Sequence, residues 1–309
     1  MKMRIEMGAK DSGRFRRPIA YFAKAREGFK AFLQSSNLAS GITVLLPAYI
    51  GWSQREGSGV FDPIMETGLP YAFYRMDDKL RIDLEHLEQL FKTTRVGILL
   101  IIHYFGYVDP GYPEAVRLAR ENNVLVLEDE AHALYSDLVG GICGRLGDAV
   151  IFSLHKMLPF GIGGMLMYNS DIGGSVTGIS QNPHISPWDY DLHEIAQCRR
   201  RNVLYLTSLL TNLEDEISLL RPELPEGVFP QTFPVLIRRA SRDRLYQVMN
   251  DDGFGVVSLY HTLISQISKE QFPDSDWLSH KIMNLPVHQD VTRDTLSSMV
   301  DALDRNIRK

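Results

Sequence analysis

The sequence predicts an α/β fold with a mostly parallel central sheet, helices on both faces of that sheet, and a smaller α+β unit near the C-terminus. Short apolar runs of strand length alternate with amphipathic helical patterns through the first half of the chain. One run, VGILLII at 96–102, is apolar at every position, as expected of a strand that helices cover on both sides. Such alternation is typical of parallel sheets with crossover helices.

Each element follows from a local pattern. Phe22, Phe29 and Leu33 recur at helical spacing and predict a first helix over 23–34. Asp83 precedes an amphipathic segment and predicts a capped helix there. The other predicted elements are, in order, strands 43–47, 71–76 and 96–104, helix 112–123, strands 124–129, 148–153 and 163–168, helix 192–213, strand 232–239, helix 242–253, strand 256–260 and a final helix near 292–305. Ligands of such sheets bind beyond the carboxyl ends of the strands.

The composition changes once along the chain, in a way that predicts two domains. Residues 171–191 are rich in Gly, Ser, Asn and Pro, which is typical of a loop or hinge. We therefore predict a large α/β domain at 1–191, which carries the polar strand ends. Residues 192–309 are predicted to form an interdomain helix and a small C-terminal α+β domain.

Composition and charge exclude several classes of protein. The chain has 309 residues, of which 44% are apolar and 23% charged, as in ordinary globular proteins. A net charge of −5 argues against nucleic acid as a partner. The longest apolar run is too short to cross a bilayer, and the opening residues lack a signal-peptide core. Cys143 and Cys198 are far apart and lack metal-site spacing, so we expect a cytoplasmic location and no metal site.

Two of the predicted strands end abruptly in polar residues. The segment VLVLEDEAHALY at 124–135 ends in acids and a histidine, and VIFSLHKMLPFGIGG at 150–164 continues into serine, histidine and lysine. Neither a phosphate-binding G-x-x-x-x-G-K-[ST] loop nor a dinucleotide-binding G-x-G-x-x-G is present. Metal binding by the acids is disfavoured, because Glu128 and Glu130 would face away from Asp129 along a strand.

An acid and a lysine on neighbouring strand ends suit a different chemistry. Pyridoxal phosphate needs an amine that forms a Schiff base and a carboxylate that keeps its ring nitrogen protonated. Lys156 suits the first role and Asp129 the second. Ser153 could give a hydroxyl to the phosphate, and His132 could reach the ring hydroxyl.

The string VLEDEAHALY…GICGRLGDAVIFSLHK…GIGG resembles the core of the DegT/StrS family, which are fold type I, pyridoxal-phosphate-dependent sugar aminotransferases. The resemblance implies a cofactor-binding large domain with Lys156 as the Schiff-base lysine and Asp129 as the partner of the ring nitrogen. It also implies contacts from His132 to the ring hydroxyl and from Ser153 to the phosphate. By the same resemblance, Trp52, or failing that Tyr49, stacks on the cofactor ring.

The family's phosphate-binding helix start, usually Ser-Gly-Thr or Ser-Gly-Arg, corresponds here to Lys24, Ala25 and Arg26. Backbone amides at a helix start bind phosphate, so Ala25 and Arg26 are also expected to bind the cofactor. The resemblance implies a homodimer that moves an amino group from an amino acid, commonly glutamate, to a nucleotide-linked keto-sugar. Two alternatives stay open: a cofactor-dependent dehydratase or lyase, with His155 beside the lysine, and a catalytically reduced binding protein, favoured by the altered helix start and Asp189.

Overall fold

The computed structural model describes residues 17–36, 41–169 and 186–308. The strands are β1 (Ile19–Phe22), β2 (Thr43–Pro47), β3 (Tyr71–Tyr74), β4 (Val96–Ile102), β5 (Leu125–Asp129), β6 (Ala149–Ser153), β7 (Gly164–Tyr168), β8 (Ile217–Leu219), β9 (Thr232–Ile237) and β10 (Ile282–Pro286). The α-helices are α1 (Ala25–Ser35), α2 (Phe61–Thr67), α3 (Leu84–Thr93), α4 (Tyr112–Glu121), α5 (Leu134–Leu138), α6 (Leu192–Leu210), α7 (Arg242–Asp251), α8 (Pro273–Lys281) and α9 (Arg293–Ile307).

The central sheet has seven strands in the order β1-β7-β6-β5-β4-β2-β3. From β3 to β6 every neighbouring pair is parallel. Strand β7 runs antiparallel to both β6 and β1. The predicted mostly parallel sheet is therefore confirmed.

Both faces of this sheet are covered. Along β6, Ala149 and Ile151 pack into the largest apolar core, whereas Val150 and Phe152 pack into a separate core. Because successive side chains of a strand point to opposite faces, each face of β6 has its own core. This explains why the central strands are apolar at consecutive positions rather than at alternate ones.

A second, three-stranded antiparallel sheet has the order β10-β9-β8. Its side chains share a core with Leu206 of α6, Leu245 of α7 and Leu303 of α9. This is the α+β architecture predicted for the C-terminal part. The boundary between two domains stays a prediction, since most of the predicted hinge lies outside the described residues.

Several predicted elements are confirmed and one is wrong. Asp83 caps α3 as expected, because its Oδ1 atom accepts a 2.9 Å hydrogen bond from the His86 amide. The strand predicted at 256–260 does not form, and only Val257 makes an isolated bridge, to Asn284. The chain instead turns at Tyr260, whose φ is +60°. The Tyr260 ring lies in a cluster of aromatic side chains, so tertiary packing overrides the local strand pattern.

The sequence analysis did not predict β1, α2, α5, α8, β8 or β10. These elements are short or have weak periodicity. Throughout the described ranges, no helix combines the length and apolar character that crossing a bilayer requires.

Candidate active site

A cavity of about 560 Å³ opens beyond the carboxyl ends of the central parallel strands. Tyr49, the alternative to Trp52, does not line this cavity, whereas the seven residues that the sequence predicted as first choices for the site all do: Ala25, Arg26, Trp52, Asp129, His132, Ser153 and Lys156. Position in the fold explains the convergence, because the carboxyl ends of parallel strands meet at one edge of the sheet. The structure thus brings the predicted residues together, although their individual roles stay predictions.

The acid and the amine come from adjacent strands. Asp129 is the last residue of β5 and pairs in register with Ile151 of β6. Lys156 ends a single 3₁₀ turn that follows β6 directly. The two side chains therefore enter the same cavity from neighbouring strand ends.

Asp129 is held in place by its own loop. Its Oδ1 atom accepts a 2.8 Å hydrogen bond from the Ala131 amide. Burial raises the pKa of Asp129, and the Ala131 hydrogen bond and the Lys156 charge oppose that rise. The Asp129 carboxylate, fixed in this way near Lys156, can bind the protonated ring nitrogen of pyridoxal phosphate.

The His132 ring lies between the Lys156 amine and the Phe105 backbone in the protein interior. Its Nε2 atom lies 3.2 Å from Lys156 Nζ, and its Nδ1 atom accepts a 3.3 Å hydrogen bond from the Phe105 amide. The ring stacks on Phe105, with centroids 5.9 Å apart and planes 10° apart. Burial, and then the Lys156 charge, lower the pKa of His132 well below its usual value, so the ring is neutral.

The proton positions follow from these contacts. Because Nδ1 is an acceptor, the neutral His132 ring is assigned its proton on Nε2, facing Lys156. Burial also lowers the pKa of Lys156, whereas Asp129 and Glu56 act to raise it. The side chain is open to the cavity, and its lowered pKa increases the share of neutral amine.

Ser153 is buried at the end of β6, and its Oγ atom lies 3.4 Å from Nδ1 of the exposed His155. Both residues line the cavity on the side of Lys156. Burial, and then the neighbouring Lys156 charge, lower the pKa of His155. A hydroxyl and a neutral imidazole are therefore available beside the amine.

The start of α1 forms one wall of the cavity. Lys24 is the N-cap residue, and Ala25 and Arg26 begin the helix, where the first amides have no partner within the helix. The charge of Arg26 is not free to face the cavity, because its guanidinium group donates a 3.1 Å hydrogen bond to Asp62 and a 2.8 Å hydrogen bond to the Glu56 carbonyl. Anion binding at this wall would therefore depend mainly on backbone amides.

The structure separates the two aromatic candidates for ring stacking. Trp52 lines the cavity and is 46% exposed. Tyr49 is fully buried, does not line the cavity, and packs 5.7 Å from Tyr104 and 5.3 Å from Tyr260 between ring centroids. Trp52 is thus the one of the pair that can contact a ligand.

Sequence analysis missed a segment that also lines the cavity. Ser258, Leu259, Tyr260 and His261 reach the site from the C-terminal part of the chain. The edge of the Tyr260 ring packs on His132, with centroids 5.9 Å apart and planes at 74°. Three of these residues, 258–260, fall within the segment predicted as a strand, and that prediction hid their part in the site.

Asp189, which favoured the alternative of a catalytically reduced binding protein, lies elsewhere. It ends a short 3₁₀ helix, Pro187–Asp189, is exposed, and does not line the cavity of its own chain.

The donor set of the cavity fits pyridoxal phosphate. An amine of lowered pKa, a fixed carboxylate, a hydroxyl and a helix start surround one space, and Trp52 offers a ring face. The wall at α1 is also tightly built, since a Cβ on Gly164 would lie 2.5 Å from the Ala25 amide nitrogen. The residues present can therefore hold an aldehyde, a ring nitrogen and a phosphate at separate points.

Residues 30–174 and 190–304 match the model of the DegT/DnrJ/EryC1/StrS aminotransferase family. The chain belongs to this family. It is a pyridoxal-phosphate-dependent aminotransferase, as the string around Asp129 and Lys156 predicted. The matched residues cover most of the chain, including strands β2 to β10 and most residues that line the cavity, but not β1 or the start of α1.

Individual relatives agree with this assignment. The chain is 35% identical over 92 residues to the GDP-perosamine synthase of Caulobacter vibrioides. The aligned stretch covers 29% of this chain and 24% of that protein. It also superposes on Helicobacter pylori PseC, an aminotransferase involved in the biosynthesis of pseudoaminic acid, with a TM-score of 0.78, 16% identity and coverage of 95% and 87%. The PLP form of Spr1654 of Streptococcus pneumoniae gives a TM-score of 0.72 at 14% identity, with coverage of 94% of this chain and 88% of that one. These structures show that the fold is that of the fold type I aminotransferases.

Proposed function

We propose that the enzyme transfers an amino group from an amino acid, glutamate in the first instance, to a keto-sugar carried on a nucleotide. The observation that carries the proposal is the convergence of Lys156 and Asp129 in one cavity, with His132 beside the amine. Amino transfer needs an amine that exchanges covalent partners and a group that moves a proton next to it. Lys156 supplies both.

Pyridoxal phosphate supplies, when bound, an aldehyde for amines and a ring that accepts electrons from the substrate carbon. Lys156 Nζ would hold that aldehyde until the amino group of the donor takes its place. The freed Nζ would then take up the proton that leaves the substrate carbon and return it to the cofactor, while the Nε2–H group of His132 donates a hydrogen bond to the neutral Nζ. The Asp129 carboxylate would hold positive charge at the ring nitrogen.

The remaining residues of the cavity would orient the cofactor and shield it. Trp52 would cover one ring face, Tyr260 packs against His132 on the interior side, and the amides at Ala25 and Arg26 would donate hydrogen bonds to the phosphate. The Arg26–Asp62 pair joins α1 to α2 and fixes this wall of the cavity. These contacts support a bound cofactor whose reacting carbon would lie next to Lys156.

The acceptor class is inferred from relatives. The GDP-perosamine synthase and PseC both act in the making of amino sugars according to their names, and the first name includes a nucleotide. The cavity lies open beside Trp52, which leaves room for a substrate larger than an amino acid. A homodimer and a cytoplasmic location are part of the proposal, the latter supported by free cysteines and no disulfide in the described chain.

The proposal is tested by incubating the purified, cofactor-loaded enzyme with glutamate and a panel of nucleotide-linked keto-sugars. We expect 2-oxoglutarate and an amino sugar to appear in equal amounts, and Lys156→Ala to form neither. A sugar that loses water while glutamate stays unchanged would support the dehydratase alternative instead. Failure of every amino donor to react with the loaded enzyme would contradict the proposal.

A further inference from the structure

A second group of chemically active side chains lies outside the cavity. His103, Glu130 and Cys143 come from three separate segments, and none of them lines the cavity. Each offers one ligand atom, and these atoms all lie within 4.8 Å of one another. His103 and Glu130 are 0% exposed and Cys143 is 1% exposed, so solvent does not satisfy these groups.

Glu130 is the residue most in need of a partner. It follows β5 directly, and neither carboxyl oxygen has a well-formed hydrogen bond within the described parts of the chain. The Cys143 thiol lies beside it, with the ligand atoms of the two residues within 4.8 Å of each other. An acid left unsatisfied in the interior is costly unless a proton or a cation compensates it.

His103 is oriented as a metal ligand would be. Its Nε2 atom lies 3.0 Å from Glu128 Oε2, whereas Nδ1 has no partner among the described residues. Histidines that bind metals commonly donate their other ring N–H to a carboxylate, which fixes the tautomer and ring direction. Glu128 is itself fixed by the Gly144 and Gly147 amides, at 2.7 and 2.6 Å.

Two carboxyl groups lie close together beside this group of ligands. A Cβ on Gly144 would lie 2.2 Å from an Asp137 oxygen and 2.8 Å from a Glu130 oxygen, so both carboxyl groups border this glycine. Arg17 and Arg145 pair with Asp137, at 2.7 and 3.0 Å. Within the described chain, Glu130 has no ion pair of its own. A bound cation would give the Glu130 carboxyl group the kind of partner that Arg17 and Arg145 give to Asp137.

From these observations we propose that His103, Glu130 and Cys143 bind a divalent transition-metal ion of the zinc class. Imidazole, thiolate and carboxylate together are the donors that zinc accepts, at about 2.0–2.3 Å. Ligands at those bond lengths lie roughly 3.3–3.8 Å apart in a tetrahedron, so the present group would contract by about 1 Å. Cys143 lies in a segment of turns that can make this adjustment. On binding, the thiol and carboxyl protons leave to solvent.

The ion would have a structural role. Cys143 belongs to the turns between α5 and β6, and Glu130 is the residue next to Asp129. Coordination would fasten this connection to the end of β5 and to His103 after β4. It would therefore stabilise the end of β5, which carries Asp129, from the side that does not line the cavity.

The direct test is metal analysis of the full chain, purified with its cofactor from zinc-supplemented medium and dialysed. We expect stoichiometric zinc in the unmodified protein and in Cys198→Ala, a matched control because Cys198 lies elsewhere, near the Gln289 carbonyl. Cys143→Ala and Glu130→Gln are expected to hold at least about tenfold less. No bound zinc in the unmodified protein, or equal zinc in all four proteins, would overturn the proposal.

A second measurement needs no variant and so does not depend on the variants folding. Zinc-edge X-ray absorption of the unmodified protein should show a sulfur ligand at about 2.3 Å together with nitrogen or oxygen ligands at about 2.0–2.2 Å. A shell of nitrogen and oxygen alone would exclude Cys143 and contradict the site. Removal of the metal by a chelator is expected to lower the thermal unfolding midpoint, with zinc restoring it.

Discussion

The Nζ atom of Lys156 lies 3.2 Å from Nε2 of His132, and the Phe105 amide donates a hydrogen bond to Nδ1 of the same imidazole. This relationship fixes the direction of the contact: the neutral ring donates and the amine accepts. A protonated lysine in the same place would face an N–H group. The geometry therefore favours the neutral amine that the reaction requires.

The depressed pKa of His132 predicts how stability depends on pH. Folding holds the pKa below the unfolded value of about 6.5, so the unfolded chain binds more protons as pH falls past that value. Stability from this group is therefore present above pH 6.5 and lost below it, by up to about 1.4 kcal/mol per pH unit. Denaturant unfolding should be measured between about pH 8 and pH 5. Over this range, the free energy of unfolding of His132→Asn should depend less on pH than that of the unmodified protein.

Exposed His280 on α8 gives the matched control, since His280→Asn should keep the pH dependence of the unmodified protein. Curves for His132→Asn that coincide with those of the unmodified protein over the whole range would show that His132 titrates normally.

The Asp129 carboxylate should matter more for turnover than for folding. Asp129→Asn keeps the shape and the contact with the Ala131 amide but removes the charge that faces the ring nitrogen. We expect kcat to fall about a hundredfold or more, as for other losses of fixed electrostatic stabilisation. Steady-state kinetics should be compared with Asp252→Asn, a change at the exposed end of α7 that should leave kcat intact. Unchanged turnover in Asp129→Asn would remove Asp129 from the reaction.

Trp52 should contribute to cofactor affinity through its ring face. Trp52→Ala is expected to weaken cofactor binding by about 0.5–1.5 kcal/mol beyond the loss of buried area, with Trp52→Phe retaining part of the effect. Trp277 has a similar exposure, 43% against 46%, but lies on α8 away from the cavity. Equal cofactor affinities for Trp52→Ala and Trp277→Ala, measured by equilibrium dialysis, would be inconsistent with stacking.

The close approach of β7 to α1 predicts a steric effect at Gly164. A Cβ there would lie 2.5 Å from the Ala25 amide nitrogen, so Gly164→Ala must push the helix start away. We expect a loss of about 1–3 kcal/mol in stability and weaker cofactor binding. Gly161→Ala is the control, because Gly161 also lines the cavity but has open space around it. Equal stability and equal cofactor affinity in the two variants would argue against a close-packed phosphate wall.

Much of the fold was predictable because its signals are local. The apolar runs gave β2 at its observed bounds, 43–47, and placed the parallel strands up to β6 within a few residues. The site residues were predictable because strand ends in such a sheet converge, which makes Asp129 and Lys156 neighbours despite 27 positions of separation. Contacts that depend on the return of a distant segment, such as Tyr260, leave no comparable mark on the sequence.

The proposed metal group shows the same limit more sharply. His103, Glu130 and Cys143 do not follow any short metal-binding spacing, and the sequence analysis expected no metal site. Only the packing of three segments behind β5 brings the ligand atoms within 4.8 Å. The alternation along β5 was predictable, because Glu130 was expected to face away from Asp129: Asp129 lines the cavity, whereas Glu130 is buried and does not line it.

The central claim is that Lys156 is the amine that binds the cofactor. The most direct measurement is borohydride reduction of the cofactor-loaded enzyme, followed by digestion and peptide mass spectrometry. The account predicts a reduced pyridoxyl group on Lys156, absent from Lys156→Ala and retained in His155→Ala. A pyridoxyl group on another lysine, or none on any peptide of the loaded enzyme, would contradict it.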